Sequence, residues 1–228
     1  MTWQGSSKMT RNFRLLLLGG LLGLSVTATS KELTSLLAPY DEWYFNFLYP
    51  NALPADVTYV ELLDTDGILY RYRMLGSTNA SSASVGKWNE EVMGIHSDFN
   101  KAKNPPQAMH FCWDSIIDKK VYETWITFGY PVWEMMLTPY PSPLDAGVQE
   151  YHRYLVIGLA PEGRVRVWLV NNGKPNTRLT EDKDILVETV SGEKLAMCKG
   201  VTRFSHGYNY IKETEDFIKD KKYPYGNW

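Results

Sequence analysis

Between Arg153 and Val170 the chain reads RYLVIGLAPEGRVRVWLV, and the spacing of its apolar residues changes in the middle. Leu155 to Leu159 is nearly all apolar, which predicts a strand covered on both faces. After it, Val165, Val167 and Leu169 alternate with Arg164, Arg166 and Trp168, the period of two expected of a half-buried strand. Ala160-Pro161-Glu162-Gly163 separates them. Proline's fixed φ suits the second turn position, and glycine tolerates the positive φ of a bulged hairpin.

The same logic yields further strands. Trp43 to Tyr49 is aromatic and strand-like. Val57–Leu63 and Ile68–Leu75 form a hairpin about Asp64-Thr65-Asp66-Gly67, and Met109–Ile117 and Val121–Phe128 form another. Ile185–Val190 and Lys194–Cys198 are expected to pair about Ser191-Gly192. Helical signals are few: Lys31–Ala38 before Pro39, Pro131–Leu137 before Pro139, and an amphipathic segment from Tyr208 through Ile218. Gly76–Gly86 is a small-residue surface loop. Roughly ten hairpin-connected strands without an internal repeat predict one mainly β domain (β-rich α+β), an antiparallel sandwich or open barrel with a C-terminal helix.

The first 28 residues stand apart. Lys8, Arg11 and Arg14 precede an apolar run, Leu15–Val26, which ends in small residues at Val26-Thr27-Ala28. That is the layout of a secretory signal, too short for the roughly 20 residues of a membrane span. Residues 1–28 are therefore expected to be a signal peptide and 29–228 a single periplasmic domain, with an uncleaved anchor as the alternative. Met9 offers a second possible start. Losing the three basic residues would take the net charge from -2 to -5, so nothing suggests a nucleic-acid partner. No cysteine directly follows the apolar run, so that stretch offers a lipid anchor no attachment point. The two cysteines, Cys112 and Cys198, lie 86 residues apart. They either pair in an oxidising compartment, closing a loop worth roughly 4–5 kcal/mol, or remain buried thiols.

Chemistry is sparse. A phosphate loop fails at Gly86-Lys87-Trp88, and a nucleophile elbow fails at Ser205-His206-Gly207. His96, His110, His152 and His206 have no metal-pair spacing. His110 and Asp114 share one face of a strand but about 13 Å apart. Asp64 and Asp66 suit a turn better than a calcium site, and Glu90 and Glu91 read as solvated charge. Asn79-Ala80-Ser81 matches a glycosylation sequon, which would carry little meaning were the chain bacterial. Trp43, Trp113, Trp125, Trp133 and Trp168 could form a sugar platform, but each lies within a predicted element, so core anchors are expected. No catalytic residue, cofactor or metal site is read from the sequence.

Several stretches resemble a bacterial lipoprotein family known as domain of unknown function 2931. They are Pro39-Tyr40-Asp41-Glu42-Trp43, the Val57–Leu75 hairpin, the Met109–Ile117 strand with Trp113, Tyr122-Glu123-Thr124 leading into Pro131–Pro139, and most specifically Leu155–Leu169. The resemblance covers residues 39 to 170 and implies an exported envelope protein, usually lipid-anchored, with no established catalytic residues; no enzyme activity is expected. Some members are similar to immunity proteins against type VI secretion toxins, lipase effectors included. The expectation is a periplasmic immunity protein that binds and neutralises a cognate toxin of the phospholipase class. The alternative is an envelope structural or assembly protein. Membrane association would come only through the leader or an anchor. Arg164, Arg166 and Trp168, on the outward side of their strand, are the expected partner contacts.

Overall fold

Alternating aromatic and branched residues make strands the commonest regular element of the chain. The computed structural model describes residues 36–91, 99–172 and 175–228; the leader, residues 31–35 of the first helical segment and His96 lie outside the described residues. In chain order the elements are β1 (Trp43–Pro50), β2 (Ala55–Asp64), β3 (Leu69–Tyr72), β4 (Asn79–Ser81), β5 (Lys101–Ala102), β6 (Pro106–Ser115) and β7 (Lys120–Phe128). Helix α1 (Tyr130–Leu137) opens with Pro131 in its first turn, where a missing N–H costs nothing. Then come β8 (Tyr140–Pro141), β9 (Gln149–Glu150), β10 (Tyr154–Ala160), β11 (Arg164–Leu169), β12 (Thr177–Arg178), β13 (Ile185–Ser191) and helix α2 (Lys212–Ile218).

Two sheets share one core. The antiparallel sheet runs β13-β7-β6-β2-β3, and the other runs β12-β11-β10-β1-β4 with β5 also on β1. Hairpin neighbours are antiparallel, as their short turns require. The second sheet is nevertheless mixed, because β1 lies parallel to β10 and to β4. These strands are joined through long intervening chain, so no hairpin dictates their direction. Trp43, Phe45 and Phe47, with Leu155, Ile157 and Leu159, face Met109, Phe111, Trp113 and Ile126 across the sandwich. Among the described residues no closed barrel forms.

The turn at 161–163 takes positive φ at two residues, Glu162 (67°) and Gly163 (73°). A Cβ on Gly163 would also stand 2.7 Å from the Tyr122 ring, so glycine is required there twice over. In the other hairpin Asp64 has the turn role expected of it: its Oδ1 accepts the N–H groups of Asp66 and Ile68.

The chain after β13 departs from expectation. Lys194–Cys198 forms no strand. A 3-10 turn at Gly192–Lys194 redirects the chain over the outer face of the antiparallel sheet, where the buried carboxylate of Glu123 takes the N–H groups of residues 196–198. The C-terminal helix exists but is confined to α2. Tyr210, Phe217 and Ile218 pack on the outer face of the mixed sheet. Cys112 and Cys198 are joined by a disulfide, which ties this tail to β6.

Candidate functional site

The outward positions of the mixed sheet divide into a roofed half and an open half. In the roofed half Trp88, Trp168 and Trp228 make edge-to-face contacts, Trp88 lying 5.3 Å from Trp168 and 5.7 Å from Trp228. Gly158 makes this possible, since a Cβ there would sit 2.7 Å from the Trp88 ring. Trp168 is therefore fully buried, and its indole N–H donates to Glu90 Oε2 at 2.8 Å.

This corrects one of the three expected partner contacts. Trp168 lies beneath the C-terminal tail and is inaccessible to a partner. Arg164 pairs with Glu162 at 2.8 Å and Arg166 with Glu181 at 2.9 Å, and both also donate to the main-chain oxygen of Trp228. Desolvation, followed by the charge of nearby Arg178, pulls the pKa of Arg166 below its ordinary value. The two arginines fasten the tail that roofs the tryptophan. The alternation placed all three residues on one face, and it could not show that a segment some sixty residues away covers it.

The open half is a cleft of about 610 Å³, within the size range of ligand and peptide sites. Its floor is formed by Asn46 of β1, Tyr154 and Val156 of β10, and Val170 just beyond β11. Tyr40, residues 148–151 and 153, and Asn172 form the walls. Tyr40 and Tyr151 lie 5.4 Å apart, and Tyr154 stacks on Tyr44. Asn46 is only 4 % exposed, and its side-chain amide has no hydrogen-bond partner among the described residues. The Tyr40 hydroxyl also lacks one, and burial pushes its pKa well up, so it keeps its proton and remains a donor.

Charge in the cleft is two-sided. Hydrogen bonds from Ser142, then Asn172 and Tyr140, hold the Glu150 carboxyl below its ordinary range. Arg153 is half-buried and forms no ion pair among the described residues, although its field acts on Tyr40, Glu42 and Glu150. His152 stacks on Tyr140, and burial lowers its pKa, so its ring is neutral near pH 7.

On the opposite side of the molecule, His110 and Asp114 remain apart. His110 contacts Glu123 at 2.8 Å and stacks on Trp125, whereas Asp114 accepts from Thr202, the Arg203 N–H and Tyr208. Burial alone would raise the pKa of Glu123, but the N–H groups of Cys198 and Ala196, with His110 and Met197, overcome it and hold the carboxyl below its usual value. A depressed folded pKa contributes stability at pH above the unfolded carboxyl value, lost as pH falls through the folded one. Glu123→Gln should accordingly cost about 2 kcal/mol near pH 7, with the gap to the parent narrowing in acid. Urea unfolding of both proteins at neutral pH and near pH 3 checks this. A gap that widened in acid would contradict it.

A disulfide-braced two-sheet β domain with one face half sealed and half open is thus defined. The family model described as Protein of unknown function (DUF2931) matches residues 26–226, and the chain belongs to that family. The match runs on through the segment after residue 170, which the sequence motifs had left outside. No curated protein and no solved structure matches the chain.

Proposed function

We propose that the domain is an exported partner-binding protein: a periplasmic immunity protein that neutralises a cognate type VI secretion toxin of the phospholipase or lipase class. The observation that carries this reading is the open cleft, where tyrosines, an arginine and an amide without a hydrogen-bond partner among the described residues line one sheet face. Tyrosine and arginine are the residues on which protein interfaces concentrate their binding energy. The disulfide supports export, because such bonds persist in oxidising compartments. The family likeness supports the toxin as partner. Inhibition needs no reacting group on this chain: seated over the toxin's active site or lipid entrance, the domain denies access.

Deleting the gene should leave cells sensitive to their toxin-bearing sisters. Expression with the leader should restore survival, whereas a leaderless copy, held in the cytoplasm, should not. Survival of the deletion strain equal to that of its parent would defeat the proposal.

A further inference from the structure

The open half of the mixed sheet indicates what it accepts. We infer that the cleft is the socket for an acidic peptide segment of the partner, a loop or chain end bearing an aromatic or branched apolar side chain beside a carboxylate. This rests on the partner-binding reading above and specifies the chemistry of the contact.

Three observations converge. Val156 and Val170 give the floor an apolar patch, and Tyr154 adds an aromatic ring, which together suit an apolar side chain. Arg153 brings a half-buried guanidinium with no carboxylate bound to it among the described residues. Such a fork matches an incoming carboxylate with two parallel hydrogen bonds. Asn46, a residue only 4 % exposed, adds a primary amide at the floor with no hydrogen-bond partner among the described residues. Opening onto the cleft, its amide can take an acceptor on the nitrogen and a donor on the oxygen from one ligand. A peptide group supplies both at once. A lipid tail supplies neither, and a phosphate offers acceptors mainly. The charges also orient the ligand: the acidic group goes to Arg153, away from Glu150.

The test uses the processed protein purified from the periplasm with its disulfide intact. N-acetyl-phenylalanine, which carries a free carboxylate, is titrated while the Asn46 side-chain amide and Tyr154 are followed by NMR. Saturable shifts are expected with a dissociation constant on the order of millimolar for so small a probe. The neutral N-acetyl-phenylalaninamide should bind roughly tenfold more weakly, the worth of one charge-assisted contact. Arg153→Gln should abolish that difference, while Arg164→Gln, on the roofed half, should leave it intact. Absence of saturation, equal binding of acid and amide, or displacement of the probe by a neutral disaccharide of N-acetylglucosamine would each overturn the socket. Sister-cell competition separates the two readings. Probe binding with a deletion strain that survives attack would keep the socket and remove the toxin. A sensitive deletion strain with no probe binding would do the reverse.

Discussion

Replacing Cys112 and Cys198 together with alanine should lower the unfolding free energy by about 4 kcal/mol. The bridge closes a separation of 86 residues, and loop-closure entropy grows with the length of chain constrained. Native contacts near the bridge act in the same direction. Cys198 donates its backbone N–H to Glu123 at 3.0 Å, two strands of the antiparallel sheet supply Cys112 and Glu123, and both sulfurs are buried. Without the covalent tie, the tail is held to β6 and β7 by hydrogen bonds to Glu123 and Asp114. For a domain of this size the change corresponds to a melting point lower by roughly 10 °C. Urea unfolding of the oxidised parent, the reduced parent and the double variant measures it. Near-equal midpoints for all three would show that the tail is secured without the bond. Because reduction and substitution remove the same constraint, the reduced parent should resemble the variant.

The second large effect is Trp168→Ala, expected to cost about 3–5 kcal/mol. The side chain is fully buried, packs edge-to-face against Trp88 and engages Glu90. Its removal opens a cavity beneath the roof, strips Trp88 of a partner and frees a carboxylate. Trp168→Phe keeps a ring in place but loses the indole N–H, so its cost should be clearly smaller. Chemical denaturation of the two variants provides the comparison. An alanine variant as stable as the parent would return Trp168 to the surface, where the strand's alternation alone had placed it.

Strand periodicity was legible because alternation is a local consequence of extended backbone, in which successive side chains point to opposite faces. The Arg153–Val170 hairpin, the Asp64–Gly67 turn and the start of α1 at Pro131 all follow from residues within a few positions of one another. The inward faces followed too, since Phe45, Phe111 and Ile157 carry the apolar half of each alternation. The outward faces did not. Glu123, Trp168 and Asn46 each sit at an outward position, and nothing local separates them from solvated residues. Asn46 did leave a signal, a lone amide within the aromatic run Trp43–Tyr49, but that pattern cannot say whether the amide meets water, protein or a ligand.

The sequence determined the long core strands, which side of each faces the core, and the family to which the chain belongs. Tertiary structure alone decided what covers the other side. Trp168 meets Glu90 across 78 positions, and Glu123 meets Cys198 across 75. Burial of an outward residue depends on such distant segments, and so does the line between the sealed tryptophan roof and the open tyrosine cleft. The physical reason is that side-chain direction is set by neighbouring backbone, whereas solvent exclusion is set by whichever part of the chain folds over it.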